Sequence, residues 1–235
     1  MTATSLKGWD ISAITYSLTY GPLAHRLDDD VLAYLDGHLR DAVVADLGCG
    51  PGVVTRKFLD AGAARVIAVD VSRKMLEQVA DHPRVVPMQA TMEGRPLDTL
   101  VEQGRAPDAG VDVILFKRSL YMDRAAALEV LRDSYAHLNP GGCIVIVHPE
   151  KSLRLYAFGR PPRLRSCTAY HLFNRTISRL AVLFGMESYT LHTRQELLSL
   201  AAEVAGEVQV REIPSDQRSF NLVAIHKPDG QAQGS

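Results

Sequence analysis

The sequence predicts an α/β fold built on a doubly wound, mostly parallel sheet of seven strands, one of them antiparallel. Three observations carry this prediction. Short β-branched runs alternate with helix-patterned segments from about residue 40 onward, the order that builds parallel βαβ units. The first and fifth runs are almost purely apolar, as in strands covered on both faces. The last two runs are joined by a short connection that begins Pro214-Ser215-Asp216, too short for a crossover, so they must pair antiparallel. The 235 residues, 46% hydrophobic and 23% charged, bound the answer to one globular domain and exclude a disordered or fibrous chain.

The elements follow in order. Leu23, Leu27, Val31, Leu35 and Leu39 recur every four positions and stripe one face of a helix. Strands are expected over Ala42–Leu47, Arg65–Val69, Val85–Met88, Val111–Phe116 and Cys143–Val147. Ser72 caps a helix carrying Met75, Leu76 and Val79. A second helix runs from Asp123 to Leu138, and Asn139-Pro140-Gly141-Gly142 stops it and turns the chain. Thr193-Arg194-Gln195-Glu196 is a capping box, and Gly206 ends the helix it opens. Strands over Val208–Ile213 and Phe220–His226 close the sheet.

Residues 151–190 break the alternation with Pro161-Pro162 and several aromatics, which reads as a cap inserted into the single domain spanning 1–235. From Lys151 to Met186 there are seven basic residues and no Asp or Glu. The net charge of −1 therefore cancels a basic segment against a remainder with 19 basic and 27 acidic residues. No apolar run approaches the ~18–20 residues of a membrane helix. The N-terminus lacks a basic stretch followed by an apolar one, and three cysteines form neither a disulfide framework nor a metal knuckle. A reduced, cytoplasmic protein without membrane partners is expected.

The most informative segment is Val43-Val44-Ala45-Asp46-Leu47-Gly48-Cys49-Gly50-Pro51-Gly52. An apolar strand meets an acid and then G-x-G-x-G, opening a helix at the sheet's carboxyl edge, where such sheets bind ligands. The third glycine falls one residue early for a dinucleotide fingerprint, and no Gly-Lys-Ser/Thr follows for a P-loop. Asp46 suits a cation better than a phosphate.

These residues resemble the first motif of the class I S-adenosylmethionine-dependent methyltransferases. Arg65-Val66-Ile67-Ala68-Val69-Asp70 is similar to the family's second motif, and Val71-Ser72-Arg73-Lys74-Met75-Leu76 to its stretch beside the adenine. Val111-Asp112-Val113-Ile114-Leu115-Phe116 and Leu138-Asn139-Pro140-Gly141-Gly142 resemble its fourth strand and the turn before its fifth. The resemblance implies a Rossmann-like fold and S-adenosyl-L-methionine as cofactor. It implies cofactor contacts from Asp46, Gly48, Cys49, Gly50, Asp70, Val71, Met75, Thr91, Met92 and Lys117, with Asp70 accepting from the ribose hydroxyls. Thr91 stands where the family often has an acid for the adenine amino group, so Glu93 or backbone groups are expected to substitute.

The acceptor is less marked. After the fourth strand the chain reads Phe116-Lys117-Arg118-Ser119, without the Asn/Asp-Pro-Pro-aromatic turn of enzymes that methylate nucleic-acid amino groups. Residues 1–40, with Trp9, Tyr16 and Tyr20, resemble the helical lid of small-molecule members. Arg118, Arg163 and Arg165 are candidate cations for an anionic group, and solvated surface charge is the plainer reading of that run. The expectation is methyl transfer to an oxygen or nitrogen of a small, anionic or aromatic acceptor. A cofactor-retaining enzyme that does not methylate, such as a cyclase, and an RNA methyltransferase are the alternatives. His148, directly after the fifth strand, is the candidate base, with Tyr121 beside the acceptor. No spacing of His, Cys or carboxylates suggests a metal.

Overall fold

Seven strands, β1 (Val43–Leu47), β2 (Arg65–Asp70), β3 (Val85–Gln89), β4 (Val111–Lys117), β5 (Leu138–Pro149), β6 (Val210–Glu212) and β7 (Phe220–His226), form one sheet in the order β3-β2-β1-β4-β5-β7-β6. The computed structural model describes residues 13, 22–79, 81–105, 110–149, 190–215 and 220–230. β1 pairs in parallel with β2 and β4, β2 with β3, and β4 with β5. β7 alone runs antiparallel, to β5 and to β6, as the short connection requires. Strand order reverses between β1 and β4, which opens a crevice above their carboxyl ends.

Period-two alternation divides the strand residues between two cores. Ile67, Ile114, Ile144 and Ile146 face α4 (Pro96–Glu102), α5 (Arg124–Ala136) and α6 (Arg194–Ala205), where Leu100, Leu131, Leu197 and Leu200 are fully buried. Val44, Val113, Val145 and Val147 face the other way, against Leu27 and Val31 of α1 (Pro22–Tyr34) and Val54 and Phe58 of α2 (Val53–Asp60). The short α3 (Arg73–Leu76) buries Met75, and Ser72 caps it by accepting from Met75 N at 3.2 Å. Asp123 caps α5 by accepting from Ala126 N at 3.0 Å. The Thr193–Glu196 box opens α6 with reciprocal bonds of 2.7 and 3.2 Å.

Three boundaries differ from expectation. Asn139-Pro140-Gly141-Gly142 is not a turn outside the sheet but the first part of β5, with a bulge opposite Val111–Val113. Asp112 holds it there, accepting from Asn139 Nδ2 and from Val43 N at 2.8 Å each, and a Cβ on Gly142 would lie 2.7 Å from Asp112 O. The expected strand over Val208–Ile213 is a 3₁₀ turn over Glu207–Gln209 followed by β6. Pairing starts only at Val210, opposite Ile225, and Val208 stays exposed. The N-terminal helix ends at Tyr34, yet Leu35 and Leu39 beyond it remain buried, so the stripe marks the packed face and not the helix length. Apart from residue 190, the expected cap over 151–190 lies outside the described residues, as do residues 1–12 and 14–21 of the expected lid over 1–40. Among the described residues no helix is long and apolar enough to cross a membrane.

α1 is fastened by charge as well as by Leu27 and Val31. Asp28, fully buried, pairs with Lys117 at the end of β4, and Lys57 of α2 approaches it at 3.5 Å. Removing one member of a buried pair strands the other charge and costs about 3–5 kcal/mol. Asp28→Asn should lower stability by that order in urea unfolding, whereas Asp28→Leu combined with Lys117→Met should recover most of it.

Candidate active site

The glycine loop after β1 is shaped by what lies against it. Gly48 has φ 83°, and a Cβ there would sit 2.3 Å from Ser119 Cβ and 3.2 Å from the Met92 methyl. Only glycine accepts both the left-handed backbone and the contact. Ser119 Oγ donates to Leu47 O at 2.6 Å, which binds the turn after β4 to the end of β1. Gly52, φ 76°, admits α2 against Val79 in the same way.

Asp70, at the end of β2, ties the loop to its neighbour. Its Oδ2 accepts from Gly50 N and its Oδ1 from Ser72 N, both at 2.8 Å. These two main-chain N–H bonds fix the orientation of the carboxylate at the end of β2. Asp46 points to the α1–α2 side and is buried, accepting from Thr55 Oγ1 at 2.7 Å. Burial raises its pKa to about 7, Asp70 pushes the same way, and the Thr55 bond opposes them. Asp46, Gly48, Cys49, Pro51 and Lys117 line one small cleft, with Val53 and Val54 at its α2 side. Burial and the Arg118 cation pull Lys117 below the usual lysine range, and contact with Asp28 holds it. Burial pushes the Cys49 thiol well up, so it is packing and not a nucleophile.

The residues expected beside the adenine lie around the ends of β2 and β3. Val71 follows β2 with its carbonyl accepting from Gln89 Nε2 at 3.1 Å, Met75 is buried, and Thr91 opens the 3₁₀ turn carrying Met92. Glu93 is exposed.

On the β5 side, His148 is fully buried, with its ring 5.7 Å from that of Tyr121 and 5.4 Å from that of His192. Arg118 hydrogen-bonds the Tyr121 hydroxyl, from a left-handed backbone (φ 56°) at the end of β4. His148, Tyr121 and Arg118 therefore form one group. Tyr16, Tyr20, Arg163 and Arg165 lie outside the described residues.

Thr55, Asp28, Ser119 and His192 were not foreseen. Ser119 alone carried a signal, a small polar residue directly after a strand that ends at the crevice. Elsewhere, Asp98, Asp133 and His137 bring ligand atoms together, but Arg95 bonds both carboxylates at 2.7–2.8 Å and His137 bonds Asp98 at 2.6 Å.

A buried acid, a second carboxylate anchored on main-chain amides, and a bare glycine turn fit a cationic nucleoside cofactor and not a polyphosphate. Residues 44–142 match the family model described as "Methyltransferase domain". A tRNA U34 carboxymethyltransferase from Cellvibrio japonicus is 29% identical over 120 residues, covering 50% of this chain and 35% of that protein. The chain thus matches about a third of the length of this curated relative. In fold, the chain is similar to the DhpI–SAH complex (TM-score 0.63, 17% identity, 97% of each chain). It is also similar to magnesium protoporphyrin IX methyltransferase from Synechocystis PCC 6803 with bound SAH (TM-score 0.58, 14% identity, 90% and 92% of the chains). N-methyltransferase NodS from Bradyrhizobium japonicum gives a TM-score of 0.58 at 13% identity over 89% and 98% of the chains. The seven-stranded fold is the Rossmann-like one that these S-adenosylmethionine-dependent methyltransferase structures share. The part of the chain that matches the methyltransferase-domain model, residues 44–142, runs from β1 through the first part of β5 and holds the glycine turn, Asp70 and Lys117.

Two measurements check the cradle. Asp70→Ala should weaken S-adenosylmethionine binding about tenfold to a hundredfold in calorimetry, the worth of one or two charge-assisted bonds. With Asp46 near 7, a cationic ligand favours its ionised form, so binding below that pH releases a proton. Affinity should therefore rise with pH through about 7 and level off above it, and Asp46→Asn should remove that dependence.

Proposed function

We propose that this protein transfers a methyl group from S-adenosyl-L-methionine to an oxygen or nitrogen of a small, anionic or aromatic acceptor. The observation that carries this reading is Asp70, whose two oxygens are oriented by Gly50 and Ser72 beside the G-x-G-x-G turn. The cofactor, when bound, supplies the activated methyl. Asp70 positions its ribose, while Asp46, Gly48, Cys49 and Gly50 surround its cationic end and Lys117 closes the cleft toward α1. Val71, Met75, Thr91 and Met92 flank the adenine. Displacement at a methyl carbon asks chiefly for alignment of nucleophile and donor, which a rigid sheet edge provides. His148, Tyr121 and Arg118 face the acceptor, and Arg163, Arg165, Tyr16 and Tyr20 complete its site. The fold likeness to small-molecule enzymes such as the magnesium protoporphyrin IX methyltransferase supports a small acceptor.

A second reading has its own support: the 29% identical relative acts, by its name, on tRNA. The two separate cleanly. Incubation with labelled methyl donor and a library of small carboxylic acids, phenols and amines should label a small molecule. If bulk tRNA is labelled instead, with binding that weakens steeply with salt, the RNA reading replaces ours. Turnover that leaves the methyl donor intact would assign the chain to a non-methylating use of the cofactor.

A further inference from the structure

We propose that His148 acts as a hydrogen-bond donor, through Nδ1, to an acceptor oxygen that reaches the site already ionised, because the main-chain N–H of His192 engages its other ring nitrogen. The proposal rests on the methyltransferase reading for its substrate half; its tautomer half stands on the geometry of the ring.

His192 N lies 3.0 Å from His148 Nε2, both buried. A main-chain amide can only donate, so Nε2 is the acceptor and carries the lone pair. A neutral imidazole has one N–H, and here it must be on Nδ1. Adding a second proton would set an Nε2–H against the His192 N–H, two donors face to face in a buried place. Burial and the neighbouring His192 ring pull the His148 pKa down to about 4, in keeping with a ring that stays neutral. Among the described residues Nδ1 has no hydrogen-bond partner. A buried donor without a partner is costly and rare, and this one sits at the carboxyl end of β5, along the edge where an open α/β sheet receives its ligands.

A general base needs a free lone pair facing the acceptor. On this ring the lone pair is engaged by the backbone entering α6, and the remaining nitrogen offers a proton. The groups gathered around it agree. Arg118 is a cation, and Tyr121, its hydrogen-bond partner, packs on the His148 ring. Such a set suits an oxyanion, and His148 Nε2, engaged by His192 N, is not placed to deprotonate an alcohol. An acid ionised at neutral pH, a carboxylate or phosphate-type oxygen, needs no base. Its lone pair forms the new C–O bond while the C–S bond of the donor breaks and its electron pair passes to sulfur. No proton moves, and the negative charge of the acceptor cancels the positive charge of the sulfonium, a change favoured in a desolvated crevice. The acceptor class narrows from oxygen or nitrogen to an anionic oxygen.

The test is spectroscopic. Full-length protein labelled with ¹⁵N in its eight histidine rings is examined by long-range ¹H–¹⁵N correlation, with His148→Asn to assign the signal. The expected pattern is an Nδ1–H, neutral ring across about pH 5.5–8, where an ordinary histidine would titrate. His192→Ala, which keeps the main-chain N–H, should leave that pattern unchanged. With the demethylated cofactor added, benzoate should shift the Nδ1 signal and benzyl alcohol should not. An Nε2–H or doubly protonated ring at neutral pH overturns the proposal, as does an equal response to the two probes or none to benzoate. Absence of cofactor binding in calorimetry would instead remove the methyltransferase reading, with the tautomer result still deciding the first half.

Discussion

The site depends on how closely the turn after β4 can approach the turn after β1. Ser119 Cβ occupies the space a side chain on residue 48 would need, and its hydroxyl bonds the carbonyl of Leu47. That contact fixes the loop from below, Asp70 fixes it from the side through Gly50, and Asp46 lies underneath with Thr55. Shape and charge are thus set by one local approach of two backbones. The parallel pairing of β1 with β4 makes that approach possible, and the fully buried strands make it rigid.

The sheet also separates two chemistries along its edge. On the α1–α2 side are Asp46, Asp28 and Lys117, a mixed and mostly acidic group in a tight cleft. Toward β5 are Arg118, Tyr121, His148 and His192, a cation, a phenol and two imidazoles gathered around one buried ring. A cationic donor and an anionic acceptor would therefore approach from opposite halves of the crevice, each stabilised where it rests. Alternation of side chains along β4 places Phe116 in one core and Lys117 toward the other, so neighbouring residues serve the two halves.

Much of this was legible in the sequence because it is local. Apolar runs, the capping box of Thr193 and Glu196, and the acid followed by three glycines each declare themselves within ten residues. Element ends were less legible: Asn139 to Gly142 carries every mark of a turn, yet Asp112, itself held by Val43 N, draws Asn139 into β5. Partners distant in sequence left no trace. Nothing in Thr55 announces that it will bond Asp46, and nothing in His192 announces that its backbone will set the tautomer of His148. In the sequence His148 and Tyr121 belong to separate strand ends, and only the register of β4 against β5, which extends through His148, brings their rings together.

The bond between Asp28 and Lys117 spans 89 positions, and that span bears on the order of assembly. Asp28 leaves the ribosome well before β4 exists, and at ~5–20 residues per second the lysine follows roughly 4–18 s later. During that interval α1 has Lys57 and the β1 and β2 side of its core but lacks Lys117 and the β4 and β5 residues Val113, Val145 and Val147. A non-local contact also waits on closure of the chain between its ends. Of the described helices, the earliest in sequence thus completes its docking only once β4 has been added, and the cleft gains that part of its α1 wall late.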